Sequence, residues 1–326
     1  MTAIKTALIG YGMSGACFHA PLLRQLPDYR IGAVVTTRPE AVRRDFPDVA
    51  IYPTLDALLA GDDAELCVVC TPNAAHAPQA RDCLAAGRHV VVEKPFVLDV
   101  DDGIGLIRLA RERDRVLTVY QSRRWDGDFL TLSGLAAAGE LGEVHTLISH
   151  YDRYRPQPRD RWRERDEPGA GIVWDIASHL IDQALQLFGL PQRVQARLAC
   201  LRPGAAAVDH FHLLLDYGAQ SAILHGDCLT VAGGPRFQLH GSRGSFVKYG
   251  MDPQETLLRA GRGPETPGWG RDDPACFGLL SRADGEACRP CPSRPGMAVT
   301  SSSTARWHRP FARGARHRSA PNRRWT

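Results

Sequence analysis

Short apolar runs alternate with amphipathic segments through the first 120 residues of the chain. Continuous apolar runs are typical of buried parallel strands, and apolar positions three and four residues apart are typical of helices. The alternation therefore predicts a parallel sheet covered by helices on both faces. The predicted strands are Ala7–Ile9, Ile31–Val35, Leu66–Cys70, His89–Val92 and Val116–Tyr120, and the predicted helices are Pro21–Leu26, Leu55–Leu59, Ala77–Ala86 and Gly103–Arg113.

The pattern changes after Trp125. Helices are predicted over Phe129–Ala138 and Trp174–Phe188, and the arginine-rich segment Arg155–Gly171 between them is interpreted as a surface loop. Alternating runs with the spacing of hairpins predict an open, mainly antiparallel sheet with helices on one face. The fold class is therefore α/β, with an N-terminal parallel sheet followed by a C-terminal α+β domain. The predicted strands of the second domain are Val144–Tyr154, Arg193–Leu201, Asp209–Asp216, Ser221–Leu229, Phe237–His240 and Ser245–Lys248.

Composition excludes several classes of protein. The chain has 326 residues, of which 44% are hydrophobic and 23% charged, which is globular and enough for two domains. No run reaches the roughly 18 apolar residues of a transmembrane helix, and no signal peptide is recognised, so no membrane partner is expected. Nine scattered cysteines, an odd number, indicate reduced thiols in a cytoplasmic protein.

The basic excess of the chain is confined to its end. The formal net charge is +4, but Leu279–Thr326 holds ten Arg and two acidic residues, so residues 1–278 sum to −4. A mildly acidic globular part does not favour nucleic acid as a partner. Residues 295–326 lose apolar periodicity and are rich in Ser, Arg, His and Pro. We interpret them as an aberrant basic tail, expected to be disordered, and hypothesise a shifted reading frame.

A glycine motif directly after the first predicted strand indicates a dinucleotide site. In the sequence GYGMSG, Gly10 allows a tight turn, Gly12 lets the backbone approach a pyrophosphate, and Gly15 lets the next helix pack against the strand. The start of that helix then faces the phosphates. An ordinary strand-to-helix turn is the alternative, but the βαβ context favours dinucleotide binding, which would include Met13 and Ser14.

The end of the second predicted strand indicates which dinucleotide is bound. An NAD site usually has Asp or Glu about 20 residues after the glycines, whereas this chain has Val35-Thr36-Thr37-Arg38. The hydroxyl of Thr37 and the guanidinium of Arg38 suit a 2′-phosphate. The sequence therefore predicts NADP, with NAD as the alternative if Arg38 is simply a solvated residue at a helix start.

Lysine is rare in this chain, because only three of the 40 basic residues are lysines. A retained lysine is informative, since lysine can give up its proton and arginine cannot. Lys94 lies in Glu93-Lys94-Pro95 at the carboxyl end of a predicted parallel strand, where open α/β sheets place their ligands. We expect Lys94 to bind substrate and handle a proton, although a surface lysine in a turn would look the same.

Asp175 and His179 lie four residues apart on a predicted helix, so both face the same way. An imidazole with a nearby carboxylate is a workable general base, but a helix-start aspartate above a satisfied histidine has the same spacing. Residues that follow other strands, or alternate along one, are expected either to border the same cleft or to be ordinary turn and strand positions. The cofactor-side candidates are Thr71, Pro72, Asn73, His76, Glu93, Lys94 and Gln121, and the substrate-side candidates are Arg124, Trp125 and Tyr154.

No metal site is predicted. Cys67 and Cys70 lie within an apolar strand and are expected to be core thiols. Cys288 and Cys291 have the spacing of half a zinc site, but no second pair stands at the right distance. Redox chemistry is therefore expected from a nicotinamide.

Taken together, Gly10–Gly15, Glu93-Lys94-Pro95 and the Asp175–His179 pair resemble the Gfo/Idh/MocA family of NAD(P)-dependent sugar and cyclitol dehydrogenases. The resemblance implies a Rossmann domain over residues 1–121 and a domain over residues 122–294 that binds substrate and forms a homo-oligomer through its sheet. It also implies that His179 is the general base, that Asp175 orients a neighbouring hydroxyl, and that Lys94 binds the reacting oxygen.

Longer strings are similar to the inositol dehydrogenases of that family. They include GYGMSGACFHAPLL from Gly10, RRWDGDFLT from Arg123 and YDRYRPQPRDRWRE from Tyr151. The similarity implies hydride transfer between NADP and a cyclic polyol, namely scyllo-inositol and its 2-keto form. One alternative is another enzyme, a dehydrogenase of an aldose or another sugar. The other alternative is a protein without enzyme activity, an inactive dinucleotide-binding sensor or relic.

Overall fold

The computed structural model describes residues 3–283 and 289–291. The predicted basic tail, residues 295–326, and Cys288 lie outside the described residues. None of the helices in the described ranges combines the length and the hydropathy that crossing a membrane requires.

Six parallel strands form the first sheet, in the order β3-β2-β1-β4-β5-β6. Every pair in it is parallel, as the alternation of apolar runs predicts. The strand order reverses between β1 and β4, and this switch point is where such sheets bind ligands. The strands are β1 Ile4–Ile9, β2 Tyr29–Val35, β3 Ala50–Tyr52, β4 Leu66–Val69, β5 His89–Val92 and β6 Leu117–Val119, and the helices are α1 Ala20–Arg24, α2 Pro39–Asp45, α3 Leu55–Gly61, α4 His76–Ala85 and α5 Val100–Glu112.

The second sheet has eight strands in the order β14-β13-β12-β11-β7-β10-β9-β8. It is mainly antiparallel, as predicted, and β7 with β10 is its parallel pair. Three short elements of this part of the chain, the helix α8 and the strands β13 and β14, were not predicted. The strands are β7 Val144–Asp152, β8 Arg193–Ala199, β9 His210–Asp216, β10 Ser221–Asp227, β11 Phe237–Gly241, β12 Gly244–Lys248, β13 Gly278–Arg282 and β14 Arg289–Cys291, and the helices are α6 Gly127–Ala137, α7 Ser178–Phe188 and α8 Gln254–Arg259.

Helix α7 buries its apolar stripe against the second sheet. Leu180 and Ala184 on the helix are fully buried and share a core with Phe211 and Leu224 of the sheet. The side chains of each strand alternate between this core and the opposite side, so the two faces of the sheet differ in character. We call the side away from α7 the open face.

The helix predicted over Trp174–Phe188 begins with a π-helical turn, Val173–Ala177, and continues as α7. Such turns are rare in helices and frequently occur at functional sites. The turn holds Asp175, and His179 follows in the first turn of α7, so both predicted site residues lie where this helix begins.

Candidate active site

The glycine motif forms a turn that only glycine fits at two positions. Gly10 has φ +96°, a left-handed conformation, and a Cβ there would lie 3.0 Å from the backbone oxygen of Cys70. A Cβ on Gly15 would lie 2.4 Å from the backbone oxygen of Gly10. The chain therefore passes from β1 into the next helical segment with no side chain between them, which leaves a cradle of backbone at the switch point.

Arg38 lies beside this cradle. A Cβ on Gly12 would be 3.8 Å from Nη2 of Arg38, and the backbone N–H of Arg38 donates to Oγ1 of Thr36 at 3.0 Å. Thr37 and Arg38 are both exposed at the start of α2. The end of β2 thus presents hydroxyls and a guanidinium next to the glycine turn, and no carboxylate occurs from Val35 to Arg38.

Hydrogen bonds of Glu93 connect the end of β5 to the glycine turn and the helical segment that follows it. Its buried carboxylate accepts hydrogen bonds from the Ser14 hydroxyl and from Nε2 of His19, the latter at 2.9 Å. Burial would lower the pKa of His19, but the neighbouring Cys70 and Glu93 outweigh burial and raise the pKa to about 10. The protonated His19 and the ionised Glu93 form a buried pair, so Glu93 positions the turn through protein contacts.

A contact between Lys94 and Asp175 joins the segment that follows β5 to the π-helical turn that precedes α7. Nζ of Lys94 donates to the backbone oxygen of Asp175 at 2.7 Å and to its Oδ1 at 3.1 Å. Nε of Arg163 lies 3.6 Å from the same carboxylate oxygen. Burial would raise the pKa of the Asp175 carboxyl, but Lys94 and Arg163 outweigh burial and hold the pKa below its ordinary value. Asp175 is therefore ionised across the neutral range.

His179 is buried, and its Nδ1 has no hydrogen-bond partner among the residues that the structure describes. Burial lowers the pKa of His179 well below its ordinary value, and the positive charges of Lys94, Arg123 and Arg236 lower it further. The imidazole is consequently neutral at pH 7. A neutral imidazole with an unpartnered nitrogen near an ammonium group can accept a proton from a bound molecule.

Residues that follow β4 and β6 border the same region. The side chain of Asn73 donates to the backbone oxygen of Gly169 at 2.9 Å, which joins the loop after β4 to the segment before α7. The ring nitrogens of His76 face the backbone oxygens of Pro95 at 2.7 Å and Thr71 at 3.0 Å, so His76 holds the ends of β4 and β5 together. Oε1 of Gln121 is buried, has no hydrogen-bond partner within residues 3–283 and 289–291, and fits a ligand that donates a hydrogen bond.

The three substrate-side candidates, Arg124, Trp125 and Tyr154, make other contacts in the structure. Arg124 pairs in a two-pronged contact with Asp182 on α7, its Nε lying 2.7 Å from Oδ2. Arg124 and Trp125 line a groove of about 970 Å³ between β6, α6 and the end of α7. Lys94, Asp175 and His179 do not line this groove. Tyr154 is 56% exposed and forms an isolated backbone bridge with Leu229. None of these three side chains lines the small cavity beside Asp175.

Arginine side chains that were not among the candidates lie near Asp175 and Tyr151. Arg153 and Arg163 line a small cavity beside Asp175, and Arg123 contacts the hydroxyl of Tyr151 at 3.2 Å. Arg163 belongs to the segment Arg155–Gly171, which is mostly exposed or half-buried, so the predicted surface loop also borders this cavity. The sequence places Arg123 directly after a strand and Arg153 on the same strand face as Tyr151. Arginine is so common in the chain that neither was singled out as a site residue.

Comparisons with known proteins identify the two domains. Residues 4–121 match the oxidoreductase family with an NAD-binding Rossmann fold, and residues 129–247 match the GFO/IDH/MocA C-terminal domain.

Two similar curated relatives are bacterial. The chain is 44% identical to scyllo-inositol 2-dehydrogenase (NADP(+)) IolW of Bacillus subtilis, over 91% of this chain and 84% of the relative. It is 46% identical to the oxidoreductase YdgJ of Escherichia coli, over 87% of this chain and 81% of the relative. A solved structure of the oxidoreductase yvaA from Bacillus subtilis superposes with a TM-score of 0.91 at 42% identity, over 98% of this chain and 90% of that chain. The chain belongs to the Gfo/Idh/MocA family of oxidoreductases.

Proposed function

We propose that the protein is an NADP-dependent dehydrogenase that transfers hydride between a cyclic polyol and the nicotinamide, with scyllo-inositol and its 2-keto form as the substrate pair. The observation that carries the proposal is the contact of Lys94 with Asp175, with the neutral His179 four residues further along the same helical segment. The name of the Bacillus subtilis relative supports the choice of substrate and of NADP.

The residues present fit a dinucleotide. The backbone cradle of Gly10–Gly15 would hold the pyrophosphate at the start of a helical segment, and Arg38 would hold the 2′-phosphate. The unpartnered Oε1 of Gln121 would accept a hydrogen bond from the cofactor. When bound, NADP⁺ supplies the carbon that accepts hydride.

Each residue of the Lys94–Asp175–His179 set has a role in the oxidation of an alcohol. The Lys94 ammonium would bind the substrate oxygen and stabilise the negative charge that develops there as the O–H bond breaks. The neutral His179 would take the hydroxyl proton while the carbonyl forms and hydride leaves the same carbon. The ionised Asp175 would orient Lys94 and accept a hydrogen bond from a neighbouring hydroxyl of the ring.

A dehydrogenase of this kind is tested by turnover. Purified full-length protein is incubated with scyllo-inositol and NADP⁺, and NADPH is followed by its absorbance, with myo-inositol and glucose as parallel substrates. We expect NADPH formation that is fastest with scyllo-inositol. Faster turnover of glucose would identify a sugar dehydrogenase instead, and tight NADPH binding without turnover of any polyol or sugar would identify a sensor.

We also propose that the second sheet mediates assembly into a homo-oligomer. The strand β8 at its edge is exposed along almost its whole length, and Val194 is 60% and Leu198 48% exposed. Apolar side chains on an exposed edge strand favour pairing with another chain. Sedimentation of the wild type and of a Val194→Glu/Leu198→Glu variant tests this, since the variant is expected to shift to a smaller species.

A further inference from the structure

The open face of the second sheet carries a cluster of imidazoles and carboxylates that hydride transfer does not use. Strands β7, β10 and β9 are neighbours, and each contributes two such residues at alternate positions. The register places them in two rows of direct cross-strand neighbours. We call this set the histidine grid; its rows are His150, His225 and His212, and Asp152, Asp227 and His210.

Three members of the grid have the geometry of a metal site. One ligand atom from each of His210, His225 and Asp227 lies within 4.8 Å of the others. Nδ1 of His210 is 3.1 Å from Oδ2 of Asp227, and Nδ1 of His225 is 3.4 Å from Nδ1 of His212. Two ligand atoms at about 2.0 Å from a tetrahedral zinc ion lie about 3.3 Å apart. The separation of His210 and Asp227 therefore suits a shared ion, and that of His225 and His212 would allow His212 to contact the ion that His225 binds.

The contact between the rings of His225 and His212 is compatible with a bound cation. Two facing imidazole nitrogens cannot both point a proton at each other, so at least one of the His225–His212 pair presents a lone pair. Neutral imidazole is the form that binds metal.

Further contacts orient the ligands. Asp152 lies 3.1 Å from Nδ1 of His150 and 3.5 Å from Nε2 of His225. A carboxylate beside a ligating histidine fixes the orientation of its ring and raises its basicity. The side chains of His210 and Asp227 are 14% and 11% exposed, so an ion can enter from solvent while the ligands are held by their neighbours.

We propose that His210, His225 and Asp227 bind a divalent transition-metal ion of the zinc class. Imidazole and carboxylate ligands suit zinc, and three protein ligands leave a fourth position for water or for His212. The ion would join β9 to β10 on the face opposite α7, because Tyr151, which alternates with His150 and Asp152, contacts Arg123 on the other face. The site is therefore structural or regulatory and takes no part in hydride transfer.

The test uses metal-stripped full-length protein titrated with Co²⁺, whose visible absorption reports tetrahedral coordination, and then with Zn²⁺ by calorimetry. We expect one equivalent to bind. His225→Gln and Asp227→Asn should each weaken binding at least about tenfold, whereas His145→Gln, an exposed histidine of β7, should leave it unchanged. Absence of binding to the wild type, or equal binding by all the variants, would overturn the proposal.

A second measurement needs no variant and so does not depend on how the variants fold. Wild-type protein is modified with diethyl pyrocarbonate with and without Zn²⁺, and modified peptides are mapped by mass. We expect Zn²⁺ to protect the histidines of the grid and to leave His145 equally reactive. Equal modification of His210 and His225 in both samples would contradict a metal site.

Discussion

Nζ of Lys94 donates to two oxygens of Asp175, the backbone oxygen at 2.7 Å and Oδ1 at 3.1 Å. The lysine follows a strand of the first sheet and the aspartate precedes a helix of the second domain, so one contact joins the two halves of the cleft. An ammonium held in this way has its position set before substrate arrives, which lowers the entropic cost of reaching the reactive geometry.

Removal of the Lys94 ammonium should slow turnover without abolishing cofactor binding. We expect Lys94→Ala to lower kcat by about 10²- to 10³-fold, the usual cost of removing one donor to a developing oxyanion. Lys5→Ala is the matched control, because Lys5 pairs with Asp62 and Asp63 far along the sheet. Steady-state kinetics with NADPH binding measured in parallel checks this, and near-normal turnover of Lys94→Ala would refute the role.

Removal of the His179 imidazole should affect the chemical step. We expect His179→Gln to lower kcat by about 10²- to 10⁴-fold, the range for loss of a general base, while NADPH still binds. His240→Gln is a suitable control, since His240 lies on β11 and pairs with Ser245. Equal rates for wild type and His179→Gln would show that another group takes the proton.

The pH dependence of kcat/KM should report the depressed pKa of His179. Burial and the charges of Lys94, Arg123 and Arg236 lower that pKa, so the base stays unprotonated as the pH falls through the ordinary histidine value of about 6.5. We expect the acid limb of kcat/KM to lie below this value and to move upward in Lys94→Ala, which lacks one of the positive charges. An acid limb above pH 7 in the wild type would contradict the assignment.

The preference for NADP should depend on Arg38. We expect Arg38→Ala to raise the KM for NADP⁺ by about 10- to 100-fold, the loss of a charged hydrogen bond, and to leave the KM for NAD⁺ nearly unchanged. Arg43→Ala, an exposed arginine of the same helix, is the control. Equal losses for the two cofactors would remove Arg38 from the 2′-phosphate site.

Stability should depend on pH through His19 and Glu93. The pKa of folded His19 is about 10, above the unfolded value of about 6.5, so its contribution is complete below pH 6.5 and is lost as the pH rises through 10. We expect His19→Asn to reduce the free energy of unfolding by about 3 kcal/mol at pH 6, and by less at pH 10. Urea denaturation at several pH values measures the difference, and a difference that grows with pH would be the wrong sign.

Local patterns predicted the parts of the site that are built from contiguous residues. The apolar runs predicted the parallel sheet, and the spacing of Gly10 and Gly15 predicted a turn that the backbone then shows to exclude any side chain. The parallel type of the sheet follows from burial on both faces, which the sequence displays directly, whereas the order of its strands comes from the structure. By contrast Arg124 and Trp125 were assigned to the cleft because they follow a strand, and they line a groove that Lys94, Asp175 and His179 do not line. Tyr154 was assigned from the alternation of residues along a strand, and its role stays a prediction.

By itself the sequence determined the family, the nucleotide-binding turn and the two stretches that carry Lys94 and His179. Only the tertiary structure decided which side chains meet. Asp175 receives the Lys94 ammonium although 81 residues separate them, and cross-strand register brings His210 beside Asp227 on a face with no local motif. The physical reason is that strand pairing and helix packing join residues that are distant in the chain, and no local spacing records those distances.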